Sequence, residues 1–217
     1  MSDTALLMDR IYGWQTGVYD VTRRYYLLGR DRLVEALSPA SGSNVLEIGC
    51  GTGRNLVKAA RRWPGARLYG LDVSEVMLAK TRQALAEEGC DQVVQVAQAD
   101  ATVCDASALF GVVFHRVYFS YTLSMIPDWT IALDRAASAL PPGGAVLIAD
   151  FGDQSGLPHW FRVMLRRWLA LFHVTPCPQA ESVLRTIAAQ RGLACDFIPL
   201  YRGYAFLAAL RRDAKGG

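Results

Sequence analysis

The sequence predicts an α/β protein built on a doubly wound, mostly parallel β-sheet. Short apolar segments of strand type alternate with helical segments from about residue 43 to the end of the chain. The first apolar segment runs into a loop with glycines at positions 49, 51 and 53, and a helical segment follows at once. Strand, glycine turn and helix in that order leave bare backbone against which a ligand can lie, because no Cβ blocks its approach.

Seven strands and several helices are predicted. The chain before the first strand has amphipathic helical patterning over residues 3–37, and a Pro/Ser/Gly connection follows at 38–42. The last two strands flank a tight turn at Tyr201–Arg202, so they must pair antiparallel. The predicted strands lie near 44–49, 67–71, 93–97, 112–119, 145–150, 194–200 and 203–210.

Two later helices carry recognisable end signals. A helix over 75–88 is predicted after Ser74, a suitable N-cap, and before Gly89, a suitable C′ residue. A second helix, over 179–191, is predicted to end in the same way before Gly192.

Composition excludes several classes of protein. A hydrophobic fraction of 52% with 20% charged residues suits a packed core rather than disorder. The net charge of +3 is too small for nucleic acid as the main partner. Five cysteines without a CxxC pair indicate reduced thiols and predict no metal site. We find no membrane-spanning apolar run and no signal-peptide pattern in residues 1–20, so the sequence predicts a cytoplasmic location.

The glycine loop reads VLEIGCGTG over residues 45–53, with the acid Glu47 two positions before the first glycine. A dehydrogenase fingerprint would place its third glycine where this chain has Arg54, so a nicotinamide enzyme is the weakest alternative. The GxGxG spacing with its preceding acid resembles the nucleotide loop of class I S-adenosylmethionine-dependent methyltransferases. That resemblance implies S-adenosylmethionine as cofactor, with contacts from Glu47, Gly49, Gly51 and Gly53.

Two further acids strengthen this interpretation. Asp72 closes the second strand about 20 residues beyond Gly53, where a carboxylate is expected to accept the ribose hydroxyls. Asp100 follows the third strand in QADAT, where the family has its adenine contact. Either acid alone is equally consistent with a helix cap or a solvated loop residue. The resemblance also implies cofactor contacts from Asn55, Val73, Met77, Ala101 and Ser120, and from Tyr19, which closes over the cofactor.

Three longer segments carry a second resemblance, to the bacterial betaine-lipid N-methyltransferases. They read YDVTRRYYLLGRDR at 19–32, SYTLSMIPDW at 120–129 and ADFGDQSGLPHWFR at 149–162. The resemblance covers nearly the whole chain and implies trimethylation of the homoserine amine of diacylglyceryl homoserine, a glycerolipid. One departure is Phe114–His115, where a Phe-Asp pair is expected, and we predict that it lies at the start of strand four, away from the chemistry.

Three alternatives remain open at this stage. A phosphatidylethanolamine N-methyltransferase has a related layout, and a small-molecule amine is another possible acceptor. A non-catalytic partner protein with the cofactor fold is the alternative of a different class, although the intact glycines and acids argue against it. Under all of them the class I resemblance implies one Rossmann-like domain over residues 1–217, in which 1–42 forms a helical lid and 43–217 the seven-stranded core.

Transfer of a methyl group to a neutral amine depends mainly on alignment, and no general base stands out. The three histidines (115, 159 and 173) are predicted to be packing or surface residues. Aromatic faces stabilise methylated ammonium groups, so Tyr25 and Tyr121 are the catalytic candidates. The alternative for the N-terminal tyrosines is packing of a helix onto the sheet. The substrate-binding candidates are Tyr12, Tyr26 and Arg30, with Arg23 and Arg24 as further candidates for the homoserine carboxylate.

The segment 157–172 combines an apolar stripe with Arg162, Arg166 and Arg167. A cationic helix with Trp and Phe on its apolar side is typical of a helix that lies in a membrane interface. We therefore predict peripheral association with an anionic membrane, on the inner face of the cytoplasmic membrane. The alternative is a cap helix that covers the active site. The stripe consists of Leu157, Trp160, Phe161, Met164, Leu165, Trp168, Leu171 and Phe172.

Overall fold

The computed structural model describes residues 27–172 and 174–214, which form one seven-stranded sheet with helices on both faces. This confirms the predicted fold class. The strands are β1 (Asn44–Ile48), β2 (Arg67–Asp72), β3 (Val94–Gln98), β4 (Arg116–Ser120), β5 (Ala145–Phe151), β6 (Ala194–Leu200) and β7 (Ala205–Arg211). The helices are α1 (Arg30–Leu37), α2 (Arg54–Arg62), α3 (Glu75–Glu87), α4 (Ala106–Phe110), α5 (Trp129–Ser138), α6 (His159–Ala170) and α7 (Ala180–Arg191).

The strand order is β3-β2-β1-β4-β5-β7-β6, so the chain reverses direction across the sheet between β1 and β4. Strands β1 to β5 pair in parallel, and β7 is antiparallel to both β5 and β6. The hairpin turn between β6 and β7 has positive φ at Tyr201 and Arg202, 51° and 60°, which matches the twist of paired strands. The loops after β1 and β4 run in opposite directions and open a crevice between them.

The predicted helical segment over 3–37 is described only from residue 27. Its described part contains α1, which begins at Arg30 and ends at Leu37, where the predicted segment also ends. Gly29 precedes it with φ +90°, a conformation that interrupts an α-helix and that glycine adopts readily. Residues 1–26 lie outside the described residues.

Strand four is also shorter than predicted. Instead of 112–119 it spans Arg116–Ser120, because residues 112–115 cross from α4 to the edge of the sheet before the ladder begins. Within that crossing Phe114 packs edge-to-face on Tyr69 and Phe110, at 5.2 and 6.0 Å between ring centroids. His115 therefore precedes β4 at the amino edge, opposite the crevice, as predicted.

The remaining elements agree with their predicted bounds to within about two residues. Ser74 caps α3 by accepting a hydrogen bond from the Met77 backbone N–H at 3.3 Å. Gly89 and Gly192 follow α3 and α7 with φ of +65° and +62°, which confirms both as helix-terminating glycines.

The core has one apolar layer on each face of the sheet. Residues that alternate along a strand serve opposite layers, so Val45 packs with α1, α2, α3 and α6, whereas Leu46 packs with α5 and α7. All seven residues of β5 are buried, as expected for a strand covered on both faces.

One acid, Glu47, is completely buried within the first layer. Its Oε1 accepts from Asn55 Nδ2 at 2.7 Å, and its Oε2 accepts from the Tyr118 hydroxyl at 3.0 Å. Burial raises the pKa of Glu47 to about 8, against the two hydrogen bonds that lower it. Glu47 therefore links β1, β4 and α2 beneath the glycine loop, and it is mostly protonated at neutral pH.

The pH dependence of stability tests this burial. Between the ordinary pKa of 4.5 and about 8 the folded state binds a proton that the unfolded state lacks, so stability falls as pH rises across that window. Replacing Glu47 with glutamine removes this titration. The free energy of unfolding is measured by urea titration between pH 5 and pH 8.5. We expect its decrease over this range to be on the order of 4 kcal/mol larger in wild type than in Glu47→Gln.

The exposed Glu87 on α3 provides the matched control, and Glu87→Gln should keep the wild-type slope. Parallel stability curves for wild type and Glu47→Gln would contradict the buried, protonated state.

Candidate active site

A cavity lies at the carboxyl edge of the sheet, where β1 and β4 diverge. Its walls come from the loops that follow the first four strands, which is where ligands bind in open α/β sheets. The lining residues are Ile48, Gly49, Gly51, Leu71, Asp72, Val73, Ala99, Asp100, Ala101, Thr102, Tyr121, Thr122, Met125, Ile126, Pro127 and Asp128.

The glycine loop needs its glycines for two reasons. Gly49, Gly51 and Gly53 have φ of +71°, +56° and +76°, a conformation that side chains rarely adopt. The space is also filled, because a Cβ on Gly49 would lie 2.2 Å from Thr122 Cγ2 and one on Gly53 would lie 2.7 Å from Thr81 Cγ2. The backbone at Gly49 and Gly51 forms a close-fitting wall of the cavity, and Gly53 packs against α3 beside it.

Asp72 ties this loop to the end of β2. Its Oδ2 accepts from the Gly51 backbone N–H at 2.8 Å, and its Oδ1 accepts from the Ser74 N–H at 3.0 Å. The same carboxylate lines the cavity, and each of its oxygens has more than one acceptor position. Asp72 thus shapes the cavity as well as presenting a charge to it.

Asp100 is held in a comparable way on the loop after β3. Its Oδ1 accepts from the Thr102 N–H at 2.9 Å and from the Thr102 hydroxyl at 2.7 Å. This local turn fixes the direction of the carboxylate toward the cavity that both residues line.

The charged side chains that line the cavity among the described residues are all acidic. Its described lining includes Asp72, Asp100 and Asp128 but no lysine, arginine or histidine. Such a lining favours a cationic ligand and disfavours a pyrophosphate, which would need a positive partner. The glycine wall and this charge fit S-adenosylmethionine, whose sulfonium is positive, better than a nicotinamide dinucleotide.

Tyr121 lies at the cavity, but its hydroxyl is engaged elsewhere. The residue has φ +56° and is almost completely buried, and the hydroxyl donates to the Leu28 carbonyl oxygen. Burial raises its pKa well above the ordinary value of 10, so it is not a base at neutral pH. Its ring packs edge-to-face on Phe151, 4.8 Å between centroids. The phenol oxygen of Tyr121 is therefore not available to a substrate.

The structure brings together about half of the predicted site residues that it describes. Those that line the cavity are Gly49, Gly51, Asp72, Val73, Asp100, Ala101 and Tyr121. Those that do not line it are Arg30, Glu47, Gly53, Asn55, Met77 and Ser120. Tyr12, Tyr19, Arg23, Arg24, Tyr25 and Tyr26 lie outside the described residues.

The residues away from the cavity have identifiable positions. Gly53 precedes α2, and Met77 packs against Met125 and Phe172. Ser120 ends β4 with a buried hydroxyl that has no hydrogen-bond partner among the described residues. Arg30, at the start of α1, lines a separate groove that also includes Asn55.

Sequence reasoning missed the part of the wall that follows β4. Thr122, Met125 and Asp128 lie in a short 3-10 turn and the loop into α5, and they line the cavity without any periodic signal. Asp150 at the end of β5 supports this turn, since Oδ2 accepts from the Ser124 N–H at 3.2 Å. Burial raises the pKa of Asp150 to about 6.

Among residues 27–172 and 174–214, no group of three or more His, Cys, Asp or Glu side chains is placed to hold a metal ion.

Comparison with known proteins identifies the family. A family model described as "Methyltransferase domain" matches residues 19–196. Aklanonic acid methyltransferase DauC of Streptomyces sp. (strain C5) is 33% identical over 195 residues, covering 87% of this chain and 84% of that protein. Nocamycin O-methyltransferase of Saccharothrix syringae is 29% identical over 158 residues, and the match covers 71% of this chain but only 53% of that protein.

A solved structure shows the same fold. Phosphoethanolamine N-methyltransferase 2 of Haemonchus contortus, in complex with S-adenosyl-L-methionine, matches with a TM-score of 0.73 at 17% identity. The match covers 98% of this chain and 60% of that one. Fold, glycine loop, acidic cavity and family match agree, and the chain belongs to the class I S-adenosylmethionine-dependent methyltransferases, with S-adenosylmethionine as its cofactor.

Proposed function

We propose that this methyltransferase acts on an amine, and that the acceptor is the homoserine nitrogen of diacylglyceryl homoserine. The observation that carries the proposal is the lining of the cavity, where Asp72, Asp100 and Asp128 stand without a basic residue among the described residues. A site with this charge favours a cationic cofactor and an acceptor whose reacting group is neutral or becomes positive.

The chain's own residues suit the cofactor. When bound, S-adenosylmethionine supplies a methyl group activated by a positive sulfonium. The glycine loop offers close backbone contact, the Asp72 carboxylate can accept ribose hydroxyls, and Asp100 can accept an adenine N–H. The buried Glu47 lies below this surface and supports it through Asn55.

For an amine acceptor, the main task of the site is to align the nitrogen with the methyl group rather than to provide a general base. A neutral amine is already a nucleophile, and correct positioning can contribute about 7–11 kcal/mol to such a displacement. Tyr121 lines the cavity and its ring packs on Phe151, so we expect this ring to border the methylated ammonium, which aromatic faces stabilise. The three aspartates attract the same positive charge, so a partly methylated ammonium is retained until it gives a proton to water and becomes the nucleophile for the next transfer.

The choice of lipid rests on the resemblance of three segments. The segment 120–129 supplies Tyr121, Thr122, Met125 and Asp128 to the cavity. The segment 149–162 includes Asp150, which supports the turn after β4. Most of the third segment, 19–32, lies outside the described residues. Two of the segments that resemble betaine-lipid enzymes are thus adjacent to the site, which supports a shared acceptor class.

A second candidate is O- or C-methylation of a small molecule. The similarity to nocamycin O-methyltransferase and to aklanonic acid methyltransferase favours it. Such acceptors must lose a proton as the methyl group is transferred, and the aspartates of the cavity would then be the candidate proton acceptors. Phosphatidylethanolamine is the competing amine.

The Asp72 assignment can be tested by cofactor affinity. In Asp72→Asn one carboxylate oxygen becomes an amide nitrogen, so the side chain loses an acceptor and its charge. We expect binding of S-adenosylmethionine, measured by isothermal titration calorimetry, to weaken about 10- to 150-fold, since a hydrogen bond to a charged group contributes about 1.5–3 kcal/mol.

Asp91→Asn is the matched control, because Asp91 is exposed and remote from the cavity. Circular dichroism establishes that each variant is folded. Affinity close to wild type in folded Asp72→Asn would refute the ribose assignment.

The acceptor itself can be identified by lipid mass spectrometry. The purified full chain is incubated with S-adenosylmethionine and mixed micelles that contain diacylglyceryl homoserine and phosphatidylethanolamine together. We expect three successive methyl increments on the homoserine lipid alone. If only phosphatidylethanolamine is methylated, it is the acceptor in place of the homoserine lipid. If no lipid is methylated although the cofactor binds, the small-molecule candidate is favoured.

A further inference from the structure

The exposed side of α6 carries several large apolar side chains outside the cavity. Trp160, Met164 and Leu171 are 68%, 52% and 68% exposed, and Val163 lies between them. Their spacing places them on one side of the helix and the turn that follows it. We call these four residues the outer face.

This outer face is separate from the part of α6 that stabilises the fold. Leu165 and Leu169 are buried, and Phe161 and Trp168 pack against the same core layer. The single predicted stripe over 157–172 is therefore divided, with Leu157 and Phe172 also on the core side and Trp160, Met164 and Leu171 facing out. The outward residues add little to the core, so their apolar character requires another explanation.

Charge on the same helix indicates what the outer face contacts. Helix α6 contains three arginines and no acid. Arg162 contacts His159 at 3.3 Å, and Arg166 donates to Gln154 Oε1 at 3.1 Å. Arg167 is exposed, and its spacing from Trp160 and Met164 places it on the same side of the helix. None of the three arginines forms an ion pair with a described residue.

We propose that the outer face of α6 docks the protein on an anionic lipid membrane. Trp and Leu side chains enter the boundary between head groups and acyl chains, and arginines extend along that surface to reach lipid phosphates. Each basic residue near an anionic membrane contributes attraction that salt screens. Three arginines without an acid on α6 suit an anionic surface, and an isologous contact with a second copy of the chain would set the same cations against each other.

Docking through α6 would bring the membrane surface close to the cavity, because the core side of this helix packs near the cavity wall. On its core side Trp168 and Phe172 pair at 5.1 Å, and Phe172 packs with Met77 and Met125. Met125 is part of the cavity wall. The membrane surface would thus lie about one helix diameter, roughly 10 Å, from residues that border the site. Within the described residues no helix is long and apolar enough to cross a bilayer.

Vesicle cosedimentation of the purified full chain tests the docking without reference to activity. The vesicles contain equal parts of phosphatidylglycerol and phosphatidylcholine, or phosphatidylcholine alone. We expect at least tenfold tighter binding to the anionic vesicles, with a loss as salt is raised. The double variant Trp160→Ser/Leu171→Ser should weaken binding at least tenfold, and Arg167→Glu should weaken it in a salt-dependent way.

Ile198→Ser is the matched control, because Ile198 on β6 is 52% exposed and distant in the chain from α6. Wild-type binding by the double variant, or no binding of wild type to anionic vesicles, would overturn the proposal. A third outcome would assign the face to a second copy of the chain. In it the wild type does not bind vesicles but self-associates in analytical ultracentrifugation, and the double variant stays monomeric.

Activity on acceptor dispersed in detergent provides a separate readout. The double variant should methylate it as wild type does, because no residue of the outer face lines the cavity. A failure of the docking proposal would therefore appear in vesicle binding, whereas a failure of the proposed reaction would appear in methylation of the dispersed acceptor.

Discussion

The hydrogen bond between the Gly51 backbone and the Asp72 carboxylate is the contact on which the site depends. It fastens the loop after β1 to the end of β2, and the Gly49 and Cys50 N–H groups add bonds to the Leu71 carbonyl at 2.8 and 2.9 Å. Thr81 on α3 secures the other side by donating its hydroxyl to the Gly51 carbonyl at 2.6 Å. A loop held at both edges keeps its backbone at a fixed distance from the cavity, which a flexible glycine segment would not do.

That constraint also explains the electrostatic character of the site. Asp72 and Asp100 are each held by neighbouring donors, so they remain near the cavity instead of turning to solvent. Two other acids, Glu47 and Asp150, are fully buried beneath the edge of the sheet, where burial raises their pKa to about 8 and about 6. The acids nearest the ligand are thus distinct from those that connect the strands and loops below it. This separation allows a negative cavity without placing several bare charges in the core.

The parts of the site that could be predicted are those fixed by local backbone geometry. The glycines at 49, 51 and 53 require left-handed conformations, and Asp72 and Asp100 follow strands whose alternation is visible in the sequence. Thr122, Met125 and Asp128 become site residues only through the packing of β4 beside β1, which no short pattern encodes. The acid at Glu47 was predicted as a cofactor contact, but its position on β1 turns its side chain into the core. For α6, periodicity showed the apolar stripe, and only tertiary contacts divided it between core and surface.

The most direct test of the central claim is a crystal structure of the protein with S-adenosylhomocysteine. We expect the cofactor in the cavity between β1 and β4, with the ribose hydroxyls within hydrogen-bond distance of Asp72 and the adenine beside Asp100. A cofactor bound at another edge of the sheet, or a ribose without contact to Asp72, would refute this assignment.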